Sequence, residues 1–135
     1  MNLAYYLKLY LATLAAFLII DLIWLGLIAR SLYQKFLGGL LSPQTNWIAA
    51  IIFYLLFIVG ILVFAVVPGL QAGSLTKAVL LGAFFGLITY ATYDLTNLAT
   101  LKGWPVAITL IDITWGTILS ACVAFISFIF GRWLG

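Results

Sequence analysis

The stretch Thr89–Pro105, TYATYDLTNLATLKGWP, begins inside an apolar helical segment and leaves it through Lys102, Gly103, Trp104 and Pro105. Tyr90, Asp94 and Asn97 recur in it at helical spacing, so a phenol, a carboxylate and an amide share one side of a helix otherwise rich in leucine, isoleucine and phenylalanine. The chain has three acidic residues in all, Asp21, Asp94 and Asp112, and each falls within an apolar segment rather than in a connection. Charge placed where the sequence is most apolar points to a membrane protein organised around a buried acidic site.

Composition supports the first half of that statement. The chain of 135 residues is 67% hydrophobic and 7% charged, whereas soluble domains carry about 25% charged residues. Four apolar runs each approach the roughly 20 residues that cross about 30 Å of hydrocarbon as a helix. The expectation is an all-α integral membrane protein, one polytopic domain over residues 1–135, with four transmembrane helices at about 3–29, 47–67, 75–98 and 106–130 in an antiparallel bundle. Lys8 followed by an apolar stretch imitates a secretory signal, but Asp21, Trp24 and Arg30 stand where a small-residue cleavage pattern belongs, so the first helix is expected to be retained. The net charge of +3 reflects few acids rather than a basic patch, and nucleic acid is not an expected partner. With no histidine and Cys122 alone, neither a disulfide framework nor a Cys/His zinc or haem site fits one chain, and no metal or cofactor is expected.

Along the chain, Tyr5, Tyr6 and Tyr10 gather at the start of the first helix, where aromatic rings favour the headgroup zone. In the connection Arg30–Asn46, the segment RSLYQKF suits a short amphipathic helix on the membrane surface. The second span contains no charge and little polarity beyond Tyr54, so it reads as the most lipid-facing, closed by Pro68 and Gly69. In the third, Ala78, Gly82, Gly86, Tyr90 and Asp94 recur every four residues. This small-residue ridge permits close helix approach and predicts that Tyr90 and Asp94 face protein, making the third span the most enclosed.

Antiparallel spans put the first and third connections on one side of the membrane. Asp21 lies nine residues before Arg30, about 13 Å at 1.5 Å per residue, while Asp94 precedes Lys102 by eight and Asp112 follows it by ten. The three carboxylates are therefore expected at similar depth. A short echo joins two of them: Asp21-Leu-Ile-Trp24 and Asp112-Ile-Thr-Trp115, each followed by glycine, Gly26 and Gly116. At i and i+3 each carboxylate shares a face with its own indole.

An aspartate at the centre of a membrane helix costs about 2.5 to 3.5 kcal/mol, so three of them need either a hydrogen-bond network or a function. A network with Thr, Tyr, Asn and Trp would only fix helix register. A site would take a proton, a cation or a polar headgroup, with Asp21, Asp94, Asp112, Asn97, Tyr90, Trp24, Trp115 and Lys102 as its candidate residues; convergent carboxylates would titrate as a coupled set.

The segments YDLTNLATLKGWP, TLIDITWG and DLIWLG resemble a bacterial family of small four-helix membrane proteins, the domain of unknown function numbered 2177, over nearly the whole chain. The resemblance rests on Asp21, Asp94, Asn97 and Asp112. It implies the inner (cytoplasmic) membrane of a bacterium and carries over no catalytic residue.

Three functions fit these residues. The first is a proton- or cation-linked carrier or binding protein, for which a homodimer is expected because four helices rarely enclose a pathway. The second is a membrane enzyme or binding protein acting on a lipid or isoprenoid, with an acid as general base and Lys102 or Arg30 on a phosphate. The third is an accessory subunit pairing with a membrane-protein partner. Beyond those, the lipid bilayer is the expected surrounding. Orientation is undetermined by charge, since Lys8, Lys77 and Arg132 lie on one side and Arg30, Lys35 and Lys102 on the other.

Overall fold

A computed structural model describes all residues 1–135. It is all-helical: α1 (Leu3–Ile28), α2 (Arg30–Leu37), α3 (Trp47–Ala72), α4 (Leu75–Thr100) and α5 (Val106–Leu134). Every helix but α2 is long and apolar enough to cross a membrane. The starts follow local chemistry. The side chains of Asn2, Asn46 and Ser74 accept hydrogen bonds from the backbone N–H groups of Tyr5, Ala49 and Lys77, satisfying donors that a first turn leaves free. Pro105 precedes α5, its missing N–H costing nothing there.

Two helices widen within their length. In α1 the turn Trp24–Ile28 is a π-helix, with the Ala29 N–H bonded to the Trp24 carbonyl at 2.7 Å. In α3 the segment Leu62–Val66 is likewise a π-helix, and the helix runs past Pro68 and Gly69 to Ala72, ending at Gly73 in the left-handed region with φ 62°. The second span thus does not close at Pro68. A proline clashes with the carbonyl four residues before it, here Phe64, and the wider turn around that carbonyl accommodates the ring without breaking the helix.

The helices pack antiparallel. Between α4 and α5, Gly82 faces Ala124 and Ser120, Gly86 faces Gly116 and Ser120, and the Tyr90 ring lies on Gly116. Between α1 and α5, the Tyr5 hydroxyl donates to the Gly131 carbonyl at 2.9 Å, and Thr13 and Ser127 share a buried hydrogen bond of 2.6 Å. Between α3 and α4, Gly69 lies against Ala78 and Gly60 against the Phe85 ring. The core joins Leu9 and Phe17 of α1, Phe57, Ile58, Ile61 and Val66 of α3, and Leu119 and Val123 of α5.

The expected ranking of enclosure is reversed. The apolar α3 carries seven buried residues, Phe57, Ile58, Ile61, Leu62, Ala65, Val66 and Gly69, and α5 carries ten. By contrast α4 buries four, Ala78, Gly82, Gly86 and Asp94, all on the ridge. Polarity misleads here because Thr92, Thr96 and Thr100 donate to the carbonyls of Ile88, Thr92 and Thr96 on their own helix, so they face outward without an unmet hydrogen bond. An apolar helix, conversely, packs against protein as readily as against lipid.

Gly86→Leu is expected to destabilise the bundle by about 1 to 3 kcal/mol, since an added side chain meets the Gly116 backbone. At Gly60 the obstacle is the tip of the Phe85 ring, 2.6 Å from an added Cβ, and that ring can turn aside. Thermal unfolding of Gly86→Leu and Gly60→Leu in one detergent checks this, and equal midpoints contradict it.

Candidate functional site: a carboxylate cavity walled by aromatic rings

At the end of the bundle that carries the first and third connections, a cavity of about 240 Å3 is lined by Asp21, Trp24, Tyr33, Tyr90, Asp94 and Asp112, together with Tyr93, Trp104, Trp115 and four aliphatic residues. All three carboxylates of the chain reach it. Six of the eight residues expected at a site, Asp21, Trp24, Tyr90, Asp94, Asp112 and Trp115, share its wall.

The other two do not. Asn97 shares the side of α4 that carries Tyr90 and Asp94 but falls in its last turn, half-buried and outside the lining. Lys102 follows the end of α4 and is exposed, beside Gly103, whose φ of 75° turns the chain toward α5. Arg30 and Lys35 are exposed as well, so no cation enters the wall.

The three acids have different surroundings. Asp21 accepts a hydrogen bond from Trp115 Nε1 at 3.2 Å. Asp112 accepts one from the Tyr33 hydroxyl at 2.8 Å, and that hydroxyl in turn accepts from Trp24 Nε1 at 3.2 Å. Asp94 is 1% exposed, and both of its carboxylate oxygens lack a hydrogen-bond partner. The Asp112 carboxyl neighbours it across the α4–α5 contact. No three of these acids come close enough together to grip a metal ion between them.

The Asp-x-x-Trp echo resolves into an exchange. Each indole serves the other helix: Trp115 of α5 holds Asp21 of α1, and Trp24 of α1 reaches Asp112 of α5 through Tyr33. The two rings stack at 4.4 Å between centroids, 8° from parallel. The glycines do not share this symmetry. Gly116 makes room for the Tyr90 ring, whereas Gly26 faces open space.

The segment RSLYQKF does form a helix, but it is more than a surface element. Ala29, wholly buried, ends the π turn, and α2 then brings Tyr33 and Leu37 over the cavity. Trp104 closes another side, its Nε1 donating to Thr109 Oγ1 at 3.1 Å and its ring meeting Tyr93 edge-on at 5.8 Å. Tyr33, Tyr93 and Trp104 are wall residues that the sequence did not mark; the aromatic in an amphipathic connection and the Gly-Trp-Pro turn were the available signals.

Burial and the neighbouring Asp112 push the Tyr33 phenol above its ordinary value, so it stays a donor through neutral and mildly alkaline pH. The unfolded chain loses that proton near pH 10 and the folded one later, so stability falls as pH rises through about 10. Tyr33→Phe is expected to flatten this alkaline fall in a series of thermal melts. An unchanged slope contradicts the burial of the phenol beside Asp112.

Comparison with known proteins bears on identity rather than chemistry. No curated protein and no solved structure matches the chain. One family model does, over residues 6–129, and it is the family that the aspartate motifs resemble. With four spanning-capable helices and a match that runs from α1 nearly to the end of α5, the chain belongs to the family described as Predicted membrane protein (DUF2177).

Proposed function

We propose that this is a proton- or cation-linked binding protein or carrier of a bacterial inner membrane, and that Asp94 with Asp112 forms its charge-binding pair. The observation that carries the reading is Asp94: a carboxyl almost fully removed from solvent, on a cavity wall, with neither oxygen hydrogen-bonded. Burying a polar group without a partner costs on the order of 1 to 3 kcal/mol, which a purely structural network would have avoided. A proton or a bound cation supplies the missing partner.

The cavity sits at one end of the bundle. Binding needs nothing further, whereas carriage across the membrane calls for a second copy to complete a path. A phosphate-handling lipid enzyme is less well supported, because Lys102 and Arg30, the cations such chemistry needs, are exposed and outside the wall.

In infrared difference spectra, Asp94→Asn should shift the carboxyl band of Asp112 if the two acids share one environment. An Asp112 band that ignores the substitution would leave the two acids independent and remove the reading.

A further inference from the structure

A second cleft adjoins the carboxylate cavity. Its volume is about 440 Å3, and it is lined by Phe53 of α3, Thr89, Tyr90 and Tyr93 of α4, and Asp112 of α5. Tyr90, Tyr93 and Asp112 belong to both walls, so the two spaces meet at those three residues. Phe53 and Tyr93 are 46% and 57% exposed on the side of the bundle, where a membrane protein meets acyl chains. Thr89 spends its hydroxyl on the Phe85 carbonyl at 2.8 Å. The result is an apolar slot opening sideways between α3 and α4 and ending on a carboxylate.

The charge and chemistry of the inner space narrow what could lie there. It holds three carboxylates and no cation, which disfavours a headgroup of net negative charge. A small inorganic cation wants several oxygen ligands in a defined shell, yet the wall is mostly hydrophobic and aromatic, and no three acids converge on one point. Indole and phenol faces beside a carboxylate are the surroundings that favour an organic ammonium, whose charge is spread over a greasy surface. Trp24, Trp115, Trp104, Tyr33, Tyr90 and Tyr93 supply those rings.

We infer that the site takes an amphiphilic organic ammonium, its head between Asp94 and Asp112 among the rings and its hydrocarbon tail in the α3–α4 cleft, entering sideways from the bilayer. This rests on the reading of Asp94 and Asp112 as a charge-binding pair and adds the class of occupant and its route. The head chemistry is shared by a free alkylammonium and by a choline-type lipid headgroup.

The test uses the full chain in maltoside micelles, titrated with dodecyltrimethylammonium and followed by tryptophan fluorescence. Saturable binding is expected, at least tenfold weaker in Asp94→Asn and in Asp112→Asn and unchanged in Lys77→Gln at the opposite end of the bundle. Tetramethylammonium, which has the head without the tail, should bind more weakly than the dodecyl compound. Dodecyl sulfate should leave the fluorescence unchanged. In nanodiscs of a single lipid composition, competition of added short-chain phosphatidylcholine with dodecyltrimethylammonium supports the site with a lipid headgroup as the source, and no competition supports it with a free amphiphile. Binding that both aspartate variants retain, or that dodecyl sulfate matches, overturns the inference. If Asp94→Asn shifts the Asp112 carboxyl band while no ammonium binds, the charge-binding pair stands and its assigned occupant falls.

Discussion

The close approach of α4 to α5 is the contact on which the rest depends. Gly82, Gly86 and Gly116 carry no side chain where the two helices touch, and Ser120 and Ala124 are small enough to meet them. In lipid there is no hydrophobic force to press helices together, so fit between backbones must do it. One turn further along the same ridge the contact widens to take the Tyr90 ring against Gly116, and beyond it Asp94 and Asp112 face each other. The glycines thus fix both the packing and the separation of the acids.

Around that pair the structure spends its hydrogen bonds unevenly. Asp21 and Asp112 are each held by an aromatic donor, and the two tryptophans that serve them stack on one another. This ties α1 to α5 at the mouth of the cavity, while Thr13 with Ser127 and Tyr5 with Gly131 tie the same helices deeper and at the far end. Of the three acids, Asp94 alone lacks a hydrogen-bond donor from the protein. A rigid aromatic frame around one carboxyl that lacks a protein donor is the arrangement that the proposed binding of a positive charge calls for.

Much of this was legible in the sequence, for reasons that can be named. Hydropathy over runs of helix length gives four spans, because a spanning helix must be apolar throughout. The gathering of Asp21, Asp94 and Asp112 followed from counting residues to the connections, since helical rise fixes depth. The ridge from Ala78 to Asp94 pointed to the right face of α4 because steric access depends on side-chain size alone. What escaped depends on tertiary placement. The position of Tyr33 is set by how α2 folds back after Ala29, and Trp104 by the turn at Gly103. Periodicity could say that Trp24 shares a face with Asp21, but not that each indole bonds the other helix's acid. Enclosure was misjudged for α3 and α4 because protein and lipid are equally apolar neighbours, so hydropathy cannot separate them.

The central claim is that Asp94 and Asp112 act as one unit. A double-mutant cycle on Asp94→Asn, Asp112→Asn and the pair, read as thermal unfolding in one detergent, measures this directly. Contacting groups in one network couple by about 0.5 to 3 kcal/mol, and a coupling in that range is the expected result. Effects that add to within about 0.5 kcal/mol would mean two separate polar residues, and the account of a shared acidic site would be wrong.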